Sequence, residues 1–259
     1  MDLTDRHVVV TGAARGIGAA LARRFAADGA RVVVADVGDV EPVASELSQG
    51  LVVQADISTE AGNVALIHQA EAEFGPIDLF FANAGIGGGT DLSTTEADWQ
   101  LAFDVNVNAH RWAVKHLLDG WLARGEGYFC STASAAGLLL QIGSAPYTLT
   151  KRAAVAFAEW LAVTYGERGV RVSCLCPQGV NTEMLRAGDG LGLGTEVVRA
   201  AGVVLEPEQV ADVVAAAIRE ERFLILPHPE VHDFMRRKAD DPERWLGGMR
   251  KLQARFGVI

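Results

Sequence analysis

Short apolar runs recur along the chain, separated by longer segments that are apolar on one face only. The short runs cover residues 7–11, 31–35, 51–54, 77–81, 128–131, 170–174 and 223–226. Their nearly continuous hydrophobicity, rich in valine, isoleucine and leucine, suits parallel strands buried on both faces. The longer segments, 16–28, 60–74, 96–122, 145–168 and 207–219, read as helices. This alternation predicts an α/β protein: a doubly wound, seven-stranded parallel sheet with helices on both faces. No Pro/Ser-rich linker divides it, so residues 1–259 read as a single domain.

Two segments fall outside the alternation. Residues 183–205 follow a strand end and carry Gly188, Gly190, Gly192 and Gly194. A long loop at the carboxyl edge of such a sheet is expected to act as a substrate lid. The tail, 227–259, carries Trp245, Met249, Leu252 and Phe256 at helical spacing. It is expected to form one or two helices, packed on the body or on another subunit.

Composition narrows the function classes. Hydrophobic residues make up 49% and charged residues 22%, enough for a substantial core and against overall disorder. A net charge of −10 and a pI near 5.1 argue against nucleic acid or an anionic membrane as partner. No apolar run approaches the ~20 residues of a membrane span. The charged segment 1–6 leads directly into a strand, with no signal-peptide core. Cys130, Cys174 and Cys176 sit in apolar runs, and Cys174-x-Cys176 lacks a second cluster at zinc-like spacing. They read as buried free thiols, with no metal, in a reducing cytoplasm.

Candidate chemistry begins after the first strand, at Thr11-Gly12-Ala13-Ala14-Arg15-Gly16-Ile17-Gly18. Glycines there let the backbone turn tightly against a pyrophosphate, at a helix start that offers free N–H groups. The second strand ends in Asp36, whose carboxylate can accept both adenosine ribose hydroxyls and repel a 2′-phosphate. Arg15 pulls mildly toward that phosphate, but Asp36 lies closer to the deciding group, so NAD is expected over NADP. Tyr147 and Lys151 are four apart, on one helix face, with Ser134 thirteen residues upstream of the tyrosine. There an ammonium can stabilise a phenolate, a base able to take a proton from an alcohol. Bringing a phenol from its usual pKa of ~10 toward neutrality requires about 3–4 kcal/mol of preferential anion stabilisation.

In this order the motifs resemble the short-chain dehydrogenase/reductase family, in its compact single-domain branch, from Thr11 to about Leu226. The resemblance implies a Rossmann-type sheet and a set of roles. Gly12, Arg15, Gly16, Ile17 and Gly18 form the dinucleotide turn, and Asp56 with Ile57 lies near the adenine. Asn83-Ala84-Gly85 closes the fourth strand beside the cofactor, and Asn106 sits at a local helix kink that holds a proton-relay water. Ser134 orients the substrate oxygen, and Tyr147 exchanges the proton. Lys151 holds the nicotinamide ribose and lowers the Tyr147 pKa. Pro177, Val180 and Thr182 face the nicotinamide. One departure is Gln178, where the family usually has glycine; the substrate pocket is one direction for its side chain, solvent the other.

Leu138, Leu139, Leu140, Gln141, Gln178, Met184, Leu185, Leu191 and Leu193 are the expected pocket residues, apolar with two amides and no cation. They suit a hydrophobic secondary alcohol or ketone rather than a phosphorylated or carboxylate substrate. Two rival readings stand beside an NAD-dependent alcohol dehydrogenase. One is an NADPH-dependent carbonyl or ketoacyl-type reductase; the other is a non-catalytic cofactor sensor on the same fold. The resemblance also implies a homodimer or homotetramer, assembled through helices 96–122 and 145–168.

Overall fold

Seven parallel strands form one sheet in the order β3-β2-β1-β4-β5-β6-β7. They are β1 His7–Thr11, β2 Arg31–Asp36, β3 Gly50–Gln54, β4 Leu79–Ala82, β5 Gly127–Thr132, β6 Val170–Leu175 and β7 Leu224–Ile225. A computed structural model gives these positions and describes residues 1–187 and 192–257. The order reverses between β1 and β4, which opens a crevice at their carboxyl ends, where ligands bind in sheets of this type.

Among the described residues the helices are α1 Gly16–Ala27, α2 Glu41–Ala44, α3 Glu60–Phe74, α4 Glu96–Phe103, α5 Ala109–Arg124, α6 Ala135–Leu138 and α7 Ala145–Tyr165. They continue as α8 Glu183–Ala187, α9 Gly194–Ala200, α10 Pro207–Arg219, α11 Glu230–Asp240 and α12 Pro242–Arg255. Side-chain caps fix several starts: Thr59 Oγ1 accepts from Gly62 N–H for α3, and Ser144 Oγ from Tyr147 N–H for α7. The predicted helix 96–122 is interrupted by a π turn at Asp104–Asn108. The helix predicted over 145–168 ends at Tyr165, with a 3₁₀ turn after it. The strand expected from residue 77 begins at Leu79, because the Ile77 carbonyl accepts from the Trp121 indole and from Arg124.

Alternate strand residues feed two cores, one on each face of the sheet. Val8, Val10, Val32, Val34, Leu79 and Phe81 pack under α1 and α10. Val9, Val33, Phe80 and Phe129 pack under α3, α5 and α7, against side chains such as Trp121 of α5. This period of two is why the runs look uniformly apolar in sequence.

The expected lid contains two short helices, α8 and α9; Gly188, Gly190 and Leu191 lie outside the described residues. The tail forms two helices, and they pack on the body. Met249, Leu252 and Phe256 cover Ile142 and Val197. Lys238 Nζ donates to the Leu138 and Leu139 carbonyls at 2.9 and 2.7 Å, fastening α11 to the end of α6.

Candidate active site

The turn from β1 into α1 forms one wall of a cleft of about 660 Å³. Gly12 adopts φ +64°, a conformation that side-chain-bearing residues avoid. A Cβ there would also lie 2.7 Å from Ala84 Cα. Asn83 ties the wall together. Its amide nitrogen donates to the Thr11 and Gly12 carbonyls at 3.0 and 3.2 Å, and its oxygen accepts from Thr132 Oγ1 at 3.0 Å. At the end of β2 the Asp36 carboxylate accepts from Ala14 N–H and Gly38 N–H, at 3.1 and 3.0 Å. That aims a fixed negative charge into the cleft. Every residue expected to hold a dinucleotide, from Gly12 through Asp56, Ile57 and Gly85 to Pro177, Val180 and Thr182, lines this cleft. Arg15 is ion-paired with Glu183 across the cleft mouth, which joins the glycine-rich turn to α8. The glycine turn, the helix start and the acid at the β2 end fit a dinucleotide.

Ser134, Tyr147 and Lys151 meet at the inner end of the same cleft. Ser134 caps α6, accepting from Ala136 N–H at 3.1 Å. Its hydroxyl lies 3.4 Å from the Pro177 carbonyl. Lys151 is 2% exposed and donates to the Thr132 carbonyl at 2.9 Å. Its nitrogen stands 5.6 Å from the centre of the Tyr147 ring. Gly85 makes room for it, since a Cβ there would be 3.0 Å from Lys151 Nζ and 3.2 Å from Asn106 Oδ1. Asn106 does not line the cleft. It is buried behind it, where its amide accepts from Ile86 N–H at 2.9 Å and donates to the Ile86 carbonyl and Thr150 Oγ1. The π turn delivers this side chain inward.

The electrostatics depart from the sequence expectation. Burial pushes the Tyr147 phenol up, and the neighbouring Ser134 hydroxyl only partly offsets this. Lys151 aims its ammonium at a carbonyl rather than at the phenol. Burial pushes Lys151 down to about 8, against the opposing pull of the Cys174 and Cys176 thiols. In the unfolded chain a lysine titrates near ~10.4. The buried cation therefore destabilises the fold fully below pH ~8, and stability recovers as pH rises from ~8 to ~10, where only the unfolded chain keeps the proton. Lys151→Met is expected to raise the unfolding free energy of the cofactor-free protein at pH 7 by about 1–3 kcal/mol and to flatten that rise. Urea unfolding at pH 7 and 9.5 measures both; a variant less stable than wild type at pH 7 contradicts the assignment.

A second cavity, about 770 Å³, opens from the inner end of the cleft. Ser134, Gln141, Gln178 and Val198 border both spaces. Its walls are Leu139, Leu140, Ile142, Val197 and Ala201, closed on the far side by Phe234, Trp245, Met249 and Leu252 of the tail. Four pocket expectations are corrected. Leu193 is 49% exposed and lines neither space. Leu138 does not line the cavity but packs against the core under α7. Met184 and Leu185 face the dinucleotide cleft instead. The lining does hold cations, Arg237 and Arg244, brought by α11 and α12 together with Asp240 and Asp241. The Gln141 amide donates to the Ile142 and Gly194 carbonyls at 2.9 and 3.3 Å. Gln178 Oε1 and Trp245 Nε1, by contrast, are shielded from water with no hydrogen-bond partner among the described residues. An uncompensated buried polar atom costs about 1–3 kcal/mol.

Two histidines of the site escaped sequence reasoning. His228 Nδ1 accepts from Gln178 N–H at 3.1 Å, while Nε2–H donates to the Gly179 and Val203 carbonyls at 3.0 and 3.2 Å. This fixes its tautomer and joins the tail, the Pro177–Thr182 loop and the end of the lid. His110 lies buried behind Lys151, pushed down to about 3 by burial and by the Lys151 charge, and is therefore neutral. The flanking prolines of Pro227-His228-Pro229 were the one available hint of a fixed histidine.

A dinucleotide cleft that ends at a serine–tyrosine–lysine cluster, opening on an apolar cavity, defines a nicotinamide-dependent oxidoreductase. Comparison with known proteins agrees. A family model described as short chain dehydrogenase matches residues 6–190. Meso-2,3-butanediol dehydrogenase of Serratia marcescens is 34% identical over 240 residues, 87% of this chain and 92% of that protein. Cis-4-hydroxycyclohexanecarboxylate dehydrogenase of Sinomonas cyclohexanicum is 34% identical over 223 residues, 82% of this chain and 88% of that protein. A short chain dehydrogenase/reductase from Burkholderia phymatum, solved in complex with NAD, has a TM-score of 0.85 at 29% identity, covering 94% of this chain and 96% of that one. The chain belongs to the short-chain dehydrogenase/reductase family, and is an oxidoreductase of alcohol or ketone substrates.

Proposed function

We propose that the chain is an NAD-dependent dehydrogenase of hydrophobic secondary alcohols, working in reverse as a ketone reductase. The observation that carries this reading is the meeting of Ser134, Tyr147 and Lys151 where the cleft opens on the apolar cavity. The nicotinamide, when bound, takes up or returns a hydride at its ring. The chain's own residues do the rest. Ser134 holds the carbinol oxygen, and Tyr147 takes its proton in oxidation and gives one back in reduction. Lys151, anchored on the Thr132 carbonyl, holds the ribose end; Asn106 fixes the backbone behind it. Gly12, Gly16 and Gly18 admit the pyrophosphate, and Asp36 receives the ribose hydroxyls.

Two features support NAD over NADP: the Asp36 carboxylate at the ribose position, and the pairing of Arg15, the cation of the turn, with Glu183. The alternative, an NADPH-dependent reductase, draws on that same Arg15. A panel of secondary alcohols assayed with NAD and with NADP separates the two. NAD-linked turnover of apolar members is expected, with Asp36→Ala shifting the NAD-to-NADP preference toward NADP by at least about tenfold. A wild type that already prefers NADP, or that turns over only small charged hydroxy acids, overturns the reading. Trp160 and Val163, 54% and 85% exposed on α7, support the proposal of a homo-oligomer joined through the long helices.

A further inference from the structure

We propose that the substrate carries a neutral carbonyl oxygen at the end remote from its carbinol, and that the indole N–H of Trp245 donates to it. This deepens the secondary-alcohol reading and rests on it.

Trp245 lines the apolar cavity but not the dinucleotide cleft, whereas Ser134 borders both. Two attachments fix where the tail meets that cavity. Ser134 caps the start of α6, and Lys238 of α11 grips the Leu138 and Leu139 carbonyls at its other end. The four residue steps from Ser134 to Leu138 rise about 6 Å along the helix. Beyond this fastening, α12 lays Met249 and Leu252 against Ile142 and Val197. Trp245 is four residues before Met249, one turn back on the same face. The body of the cavity is walled by Leu139, Leu140, Ile142 and Val197, so the stretch of substrate between its two oxygens is hydrocarbon.

Trp245 Nε1 is shielded from water and has no hydrogen-bond partner among the described residues. An indole N–H only donates, and no flip or tautomer can recast it as an acceptor. The groups around it are engaged elsewhere. The Phe234 ring stands 6.3 Å away, centre to centre, and Asp241 caps α12 by accepting from Arg244 N–H at 3.0 Å. Space lies on the same side of the helix. Gly248, three residues on, also lines the cavity, and a Cβ there would meet no atom of the described residues within 4 Å. The charged groups of this wall are Arg237, Arg244, Asp240 and Asp241, two of each sign. A balanced wall exerts little net pull on a carboxylate, whose desolvation is costly, so the matching acceptor is a neutral one. A carbonyl oxygen completes the indole; an alkyl group in its place leaves the donor buried and unpaired.

Two methyl carbinols make the test. One is the methyl ester of para-(hydroxyethyl)benzoic acid, with its carbinol next to the ring; the other is its homologue with two methylenes between carbinol and ring. They place the carbonyl at two distances, and each has a counterpart with para-propyl in place of the ester. Wild-type enzyme with NAD is expected to show at least about tenfold higher kcat/KM for the better ester than for its propyl counterpart. Trp245→Phe, which keeps an aromatic ring and removes the N–H, should bring that ratio close to one. Gly248→Val, which fills the open space beside the indole, should lower the ratio as well. Calorimetric titration of the ester and its counterpart into Tyr147→Phe with NAD present should give the same ratio as a binding preference. A wild-type ratio near one, a ratio that neither variant lowers, or a free acid that outperforms its methyl ester overturns the proposal. Turnover of the propyl compounds in that event leaves the alcohol dehydrogenase reading intact. If wild type turns over no alcohol with either coenzyme, both fall together.

Discussion

Tyr147→Phe is expected to lower turnover by about 10²–10⁴-fold or more while leaving NAD binding in place, because the change removes only the proton-exchanging oxygen. The ring stays, and with it the packing between Ser144, which caps the helix, and Lys151. Burial holds the phenol of the cofactor-free protein above its ordinary value. Oxidation needs the phenolate, so wild-type alcohol oxidation should climb as pH rises, and the variant should lose that climb. Steady-state rates on any alcohol the wild type oxidises, with NAD titrations alongside, measure both effects. Turnover like that of wild type removes Tyr147 from the chemistry.

Gly18→Ala should cripple both fold and cofactor binding. A Cβ at Gly18 would stand 2.0 Å from the Gly12 carbonyl oxygen, 2.7 Å from its carbon and 2.6 Å from Asn83 Nδ2. Two of these are backbone atoms, and Asn83 Nδ2 is itself bonded to the carbonyls of Thr11 and Gly12. Nothing flexible can yield. Overpacking usually costs about 1–3 kcal/mol, and here the strain falls on the turn that must admit a pyrophosphate, so a loss above about 3 kcal/mol is expected. Urea unfolding and NAD titration check it; an unfolding midpoint and NAD affinity matching wild type contradict the geometry.

The sheet and the cofactor cleft were legible in sequence because both rest on local signals. Val8-Val9-Val10 is apolar throughout since each residue feeds one core or the other. Gly12 to Gly18 and Asp36 sit where strand ends must put them. The tail was legible as helices from Trp245, Met249 and Leu252, but not as the far wall of a cavity. No periodicity tells a helix that its apolar face will close a space bordered by Ser134, more than a hundred residues earlier. That is why Arg237 and Arg244 were missed and Leu138 was misplaced. The π turn at Asp104–Asn108 stands where the resemblance placed a kink at Asn106, though no local pattern of residues marks it. It comes from Asn106 meeting the Ile86 backbone, a contact between segments twenty residues apart. The expected lowering of the Tyr147 pKa by Lys151 rested on helical spacing and on the resemblance, and the Thr132 carbonyl that draws the ammonium away belongs to β5, distant in sequence.

The order in which residues line the two spaces separates inheritance of chemistry from inheritance of taste. Among the described residues, Val198 is the last along the chain to border the cleft, whereas the far wall of the cavity is drawn from Phe234 to Leu252. A recombination or drift event confined to the last two helices would therefore change the far wall of the cavity while the residues lining the cleft, Ser134, Tyr147 and Lys151 among them, pass on unaltered. The Lys238 fastening to the Leu138 and Leu139 carbonyls uses backbone acceptors only, so any new arm that supplies one cation at that position could dock there.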